Sequence, residues 1–335
     1  MTVAGDTPFL TSLSAQSTKV KQCAYAKGTY ANRRSQLRAY LLFTFHAGLT
    51  PFPVSADTLD LYITFLSRSV RSFQTVKNYV DGLRFYSELL GYSYEHLSSD
   101  FMVKLTLRGL KHVLSTRPKR KLPITVHILL SIHRTLDFRN IVHVVMWAAM
   151  LVCFFGFLRK SNLVPASAKQ FDPTKHLTRQ SLLWGHDEVI LQLFWSKTDQ
   201  FQSEIVQLPL PRIPDSPLCP VSALRHMIER VPAPSRAPLF VLPHHSSMYT
   251  ITHTSFVSYV RSFISTIGLD ATQYSGHSFR RGMAQYASSL NGSFPALMIA
   301  GNWRSSSVYA YLDNKLQVRQ RFMSDIRDAV IASRL

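Results

Sequence analysis

Acidic residues are scarce in this chain. Its 335 residues hold 19 Asp plus Glu against 38 Lys plus Arg, a formal charge of +19 and a pI of about 10.1. A folded, apolar chain with that surplus is matched to a polyanion, with nucleic acid ahead of a membrane surface. Cysteine is nearly missing. Cys23, Cys153 and Cys219 stand far apart with no CxxC pair, which excludes a disulfide scaffold and a cysteine zinc site and fits a reducing compartment. The 13 histidines form no HExxH or His-x-His spacing, so no metal is expected. No basic, apolar and small-residue signal opens the chain, where Asp6, Thr7 and Pro8 interrupt the first ten residues. Long apolar runs are lacking except for one, Ile141 to Leu158. It approaches the length of a membrane span, but His143 breaks it and no second run exists, so it reads as a buried central helix. With 46% hydrophobic and 17% charged residues, the composition also excludes a disordered tail, a collagen and a low-complexity array.

What is present divides into two halves. Residues 1–28 lack periodicity and read as a flexible basic arm. Residues 29–115 read as four helices with short connections, an all-α bundle. Leu37, Leu41 and Phe45 share one side of the first helix, and Arg33, Arg34 and Arg38 crowd its first turns. Ser55 is placed to cap the second helix. Val76 to Leu90, closed by Gly91, forms the third, and Asp100 to Leu114 the fourth. Residues 116–122 carry Arg117, Lys119, Arg120 and Lys121 between prolines, a basic inter-domain linker or a nuclear-import patch.

Residues 123–335 are mixed. Val189–Trp195 and Glu204–Leu208 read as a β-hairpin turned by residues 196–203, with helices predicted over 221–231, 255–267, 278–290 and after Asn314. The whole is mainly α: a helical-bundle N-terminal domain, then an α+β domain with a small antiparallel sheet.

Four segments of the second half carry candidate chemistry. Arg159 follows the apolar run in FFGFLRKSNL, where an arginine either complements a helix end or is aimed at a pocket edge. Lys197 lies in the hairpin turn, solvated or reaching for a groove. In GHSFRRG, His277 and Arg280 are three apart, one turn of a helix whose start favours an anion. In AGNWRSSSVYAYLDN, Trp303 precedes Tyr309 and Tyr311, residues that on their own fit a core equally well.

Arg, hairpin Lys, His-x-x-Arg, Trp and Tyr in that order resemble the tyrosine recombinase (integrase) family. GHSFR followed by G-x-W and Tyr-Leu is similar to the phage recombinase Cre and more so to the recombinases of eukaryotic DIRS-type and Crypton mobile elements. Residues 215–224 and 48–59 also look like segments of that group. The resemblance spans nearly the whole chain and implies a core-binding domain over 29–115, a linker, and a catalytic domain over 123–335.

Carried onto this sequence, the resemblance implies Arg159, Lys197, His277, Arg280, Trp303 and Tyr311 as the catalytic set. The physics suits each role. Two guanidiniums fork onto the non-bridging oxygens of a five-coordinate phosphorus, and an indole N–H adds a donor. His277 assists removal of the phenol proton, and Lys197 protonates the departing 5′ oxygen. Tyr309 and Tyr311 lie about 200° apart on a helix and cannot share one pocket. Tyr311, followed by Leu312, matches the family pattern. Asn162 stands where the family often has an acidic residue, and Tyr311 is one residue nearer Trp303 than in Cre.

The resemblance further implies duplex DNA as partner, a homo-oligomer (a tetramer on two sites), a 3′-phosphotyrosyl intermediate, and no metal, ATP or other cofactor. No membrane partner is expected. DNA contacts are expected from Arg33, Arg34, Arg38, Lys77, Arg117, Lys119, Arg120, Lys121 and Arg281. Phe322, Ile326 and Val330 make an apolar stripe near the end, packed on its own domain or docked on a neighbouring subunit. The chain would be nuclear if it serves a eukaryotic mobile element, otherwise cytoplasmic at the nucleoid. Two other readings are a DNA-binding protein that keeps the fold without catalysis and a type IB topoisomerase-like enzyme.

Overall fold

The computed structural model describes residues 8–114, 120–195, 205–245, 247–290, 293–303, 305, 308, 309, 311, 320, 323, 324, 326 and 327. The chain divides between Lys119 and Arg120 into two units, Met1–Lys119 and Arg120–Leu335.

The first unit is helical: α1 (Pro8–Gln22), α2 (Lys27–Ala47), α3 (Ala56–Ser69), α4 (Phe73–Leu89), α5 (Glu95–Ser99) and α6 (Phe101–Val113). The starts follow side-chain chemistry. Ser55 Oγ accepts from the Thr58 amide at 3.1 Å and Asp100 Oδ1 from the Val103 amide at 3.0 Å, each satisfying an otherwise unpaired N–H. Tyr40, Leu59, Tyr62, Ile63, Val76 and Leu83 make the core, with α2 against α4 and α3 against α6. The Tyr40 hydroxyl donates to the Pro51 carbonyl at 2.8 Å, so a polar tip inside the core is paired.

Two expectations for this unit need correction. Residues 8–22, read as part of a flexible arm, are helical. α1 buries none of its residues, and Phe9, Leu10, Leu13 and Val20 are exposed, which is why no core-facing period marks it. In α2 the buried side chains are Tyr40 and Thr44, while Phe45 is 80% exposed. The predicted Leu37–Leu41–Phe45 stripe is therefore rotated away from the core.

The second unit comprises α7 (Val126–Thr135), α8 (Ile141–Phe155), α9 (Lys160–Leu163), β1 (Leu182–Trp184), β2 (Glu188–Leu193), β3 (Val206–Pro211), α10 (Pro220–Arg230), β4 (Val241–His244), β5 (Ser247–Thr250), α11 (His253–Thr266), α12 (His277–Ser289) and α13 (Phe294–Ala300). α8 is its axis. Every residue from Val144 to Phe154 is buried, because α10, α11 and α12 pack around it. A helix apolar on all sides needs such a jacket. No described helix is long and apolar enough to cross a membrane.

The hairpin expected from the sequence is the β2–β3 pair. Leu191 faces Leu208 and Val189 faces Leu210, all four buried, with alternate residues turned outward. The edge strand β1 completes the order β1-β2-β3. Its three residues are too few to show alternation in sequence. Pro209 and Pro211 are tolerated because β3 is the other edge, where a missing N–H breaks no ladder. β4 and β5 form a separate two-stranded sheet.

The end of the predicted linker belongs to this unit. The Leu122 amide donates to the Gln273 carbonyl at 2.8 Å and the Ile124 amide to the Ser278 carbonyl at 2.9 Å. Gly282 on α12 permits this approach, since a Cβ there would lie 1.7 Å from the Ile124 oxygen. Gly282→Ala should therefore lower the unfolding free energy by about 2–3 kcal/mol through overpacking. That outweighs the roughly 1 kcal/mol alanine gains inside a helix. A urea titration with an unshifted midpoint would contradict this packing.

Candidate active site

The site is assembled where α8 ends, α12 begins and α13 turns back. α8 stops at Gly156, and Phe157 adopts a left-handed conformation, φ +49°, that a residue with a side chain rarely takes. The buried Phe157 ring meets Trp303 edge-on at 5.7 Å. Packing of that ring supports the strained backbone. The turn delivers Arg159 immediately before the short α9, whose Asn162 is buried and donates from Nδ2 to the Trp195 carbonyl at 3.3 Å. The residue at the usual acidic position thus braces the strand leaving β2.

Arg280 lies one turn into α12 and is 3% exposed. Its fork is seated from two sides: Nη1 donates to the Phe157 carbonyl, and Nη2 to the Gly301 carbonyl at 2.7 Å. The guanidinium carbon lies 3.9 Å from the centre of the Trp303 ring and 5.7 Å from that of Tyr311. Burial pushes this guanidinium down to about 10; neighbouring Arg159 adds to the depression, while nearby Tyr311 opposes it. Those interactions place Arg159, Arg280 and Tyr311 in one electrostatic neighbourhood.

Trp303 is seated by a tight turn. Asn302 takes φ +47°, the Trp303 amide donates to the Met298 carbonyl at 2.9 Å, and a Cβ on Gly301 would lie 1.6 Å from the indole ring. Trp303 packs with Phe157, Ala284, Leu297 and Val308, and the Tyr311 ring sits against it at 5.6 Å. Two buried donors, Trp303 Nε1 and Arg280 Nε, have no hydrogen-bond partner among the described residues. Buried N–H groups are usually paired, so a cationic pocket with two open donors is chemically suited to an anion.

Arg159, Arg280, Trp303 and Tyr311 are therefore brought together. His277 is the first residue of α12, exposed, one turn before Arg280. Lys197 lies outside the described residues, as do Phe322, Val330 and most of the terminal helix, although Gln320, Met323, Ser324, Ile326 and Arg327 are helical. Tyr309 points elsewhere, stacking on Phe294 at 4.7 Å and 16°. Tyr286 on α12 is 41% exposed.

The expected DNA contacts separate by burial. Arg34, Arg38, Lys77 and Arg120 are exposed, and Arg117 and Lys119 lie outside the described residues. Three are engaged within the protein. The Arg33 guanidinium lies 3.7 Å from the centre of the Phe85 ring and 3.9 Å from that of Tyr25, two rings set edge to face. Arg281 is buried, with Nη1 donating to the Lys121 carbonyl at 2.8 Å. Lys121 Nζ itself donates to the Thr272 carbonyl at 2.6 Å. A count of charges along a chain does not distinguish cations that face solvent from cations that tie the fold. Sequence reasoning also missed Phe157, Gly301 and Gln285; the glycine two residues before Trp303 was the one available signal.

No family model matches this chain. It is 26% identical over 273 residues to an integrase/recombinase XerD homolog of Selenomonas ruminantium, covering 79% of this chain and 75% of that protein. Among solved structures it is similar to the Tn1549 transposon integrase in complex with transposon right end DNA, at 15% identity and TM-score 0.59, covering 93% of this chain and 98% of that one. XerH site-specific recombinase bound to palindromic difH substrate is 14% identical with TM-score 0.57, covering 85% and 78%. A lambda integrase dimer bound to a COC′ core site is 12% identical with TM-score 0.55, covering 90% and 94%. Likenesses of this kind establish a shared fold.

Proposed function

We propose that this chain is a tyrosine recombinase/integrase that cleaves and rejoins duplex DNA at specific sites, using Tyr311 as the nucleophile in its own subunit. The observation that carries the reading is the buried Arg280, fixed by the Phe157 and Gly301 carbonyls with its guanidinium carbon 3.9 Å from the centre of the Trp303 ring and 5.7 Å from that of Tyr311. A cation so seated is preorganised, and stabilises charge developing on a phosphate without reorganising.

In the proposed step the Tyr311 oxygen bonds to phosphorus as the bond to the 5′ oxygen breaks. His277 takes the phenol proton and Lys197 supplies one to the departing 5′ oxygen. Arg159, Arg280 and the Trp303 N–H hold the non-bridging oxygens. The phosphotyrosyl ester keeps the bond energy, so a 5′ hydroxyl from the partner strand reverses the step without ATP or metal. DNA as the partner is supported by the similar structures, which are complexes with DNA. The exposed Arg34, Arg38, Lys77 and Arg120 would lie on phosphates.

The finer reading is a mobile-element recombinase, integrating or excising as a tetramer on two sites, and akin to the DIRS-type and Crypton enzymes. It rests on GHSFR and residues 215–224. On that reading the chain is nuclear in a eukaryotic host. The test uses nicked suicide duplexes recovered from a random-sequence pool by binding. The wild-type chain should leave a denaturation-resistant protein–DNA adduct whose linked peptide contains Tyr311. Binding without adduct favours a non-catalytic DNA-binding protein, and relaxation of supercoils by a monomer favours the topoisomerase-like reading.

A further inference from the structure

We infer that Gln285 is a positioning residue for the nucleophile, holding the Tyr311 main chain so that its phenol meets the Arg280 guanidinium. This rests on the recombinase reading above and deepens it. The Gln285 side-chain amide donates from Nε2 to the Tyr311 carbonyl at 3.2 Å. The Tyr311 amide donates to the Val308 carbonyl at 2.9 Å. Both main-chain polar groups of the nucleophile are thereby tied, one to its own turn and one to α12.

Arg280 and Gln285 share that helix, about 7.5 Å apart along its axis. The Arg280 guanidinium carbon lies 5.7 Å from the centre of the Tyr311 ring, and Gln285 holds the Tyr311 main chain. One rigid element thus sets the separation between the phosphate-binding cation and the attacking oxygen. The apolar contacts of Tyr311 with Trp303 hold the ring without directing it, whereas a hydrogen bond has direction. Attack needs the reacting atoms about 3–3.5 Å apart, and a displacement near 1 Å costs about 10²-fold in rate. A tether on the nucleophile's backbone therefore acts on rate and leaves DNA affinity alone.

Gln285→Glu keeps the shape and, when ionised, replaces the donor by an acceptor facing a carbonyl. Gln285→Ala removes the group. Both should slow adduct formation on a suicide duplex about tenfold, with DNA affinity unchanged within about twofold and the thermal midpoint close to wild type. A second measurement separates positioning from general damage. In a Tyr311→Phe background, hydrogen peroxide serves as an external nucleophile, so cleavage depends on the cationic pocket and not on the tyrosine. Gln285→Glu should leave that rate unchanged. An adduct rate at the wild-type level overturns the inference, as does an equal fall in the peroxide reaction. If the wild-type chain forms no adduct at all, the recombinase reading falls and takes this inference with it.

Discussion

Tyr311→Phe removes the covalent protein–DNA adduct, lowering its formation at least about 10³-fold while DNA affinity stays within about twofold. The substitution deletes one oxygen and keeps the ring that packs at 5.6 Å on Trp303, so the pocket remains built. Tyr309→Phe is the matched control. Its ring stacks on Phe294, a contact phenylalanine retains, and its adduct should form at the wild-type rate. Electrophoresis under denaturing conditions with end-labelled suicide duplex reads both variants. Loss of adduct in Tyr309→Phe with retention in Tyr311→Phe would exchange the two roles and refute the assignment.

Arg280→Lys lowers cleavage about 10²–10³-fold, although the charge is nominally kept. The guanidinium reaches two carbonyls in different directions, Phe157 on one flank and Gly301 on the other. A single ammonium on a flexible stem cannot span both carbonyls. At least one buried acceptor loses its partner, which costs about 1–3 kcal/mol of stability. Circular dichroism establishes that the variant is folded before cleavage is measured. Cleavage within threefold of wild type in a folded variant would show that the fork is dispensable and that Arg280 acts only as a point charge.

Legibility differed between elements for physical reasons. α3, α4 and α6 were readable because their apolar residues recur at helical spacing, and Ser55 caps where expected. α8 was readable by length and hydropathy alone, and β2–β3 by two runs flanking a polar turn, the first nearly all apolar. α1 was invisible because it buries nothing, and β1 because three residues carry no period. In the candidate site, Arg159, Arg280, Trp303 and Tyr311 were singled out through the order of residue types. The residues that seat them were not. Phe157 contributes a carbonyl and a left-handed turn and Gln285 one amide, neither with a linear signature; Gly301 contributes a carbonyl and the absence of a Cβ, and only its place two residues before Trp303 was legible.

The linear chain decided the inventory: a basic surplus, a helical first half, one apolar helix that needs a jacket, and a dispersed set of Arg, Lys, His, Trp and Tyr side chains in a recognisable order. Tertiary structure decided the assignments within it. It set Tyr311 against Trp303, with the Arg280 guanidinium carbon 5.7 Å from the centre of its ring, and stacked Tyr309 on Phe294. It engaged Arg33 with two aromatic rings and bonded the buried Arg281 to a main-chain carbonyl. The reason is that residue type and spacing are properties of the chain, whereas burial and hydrogen-bond partnership belong to pairs of residues far apart in it. Arg280 and Phe157, 123 positions apart, acquire a shared role only once α8 and α12 are packed together.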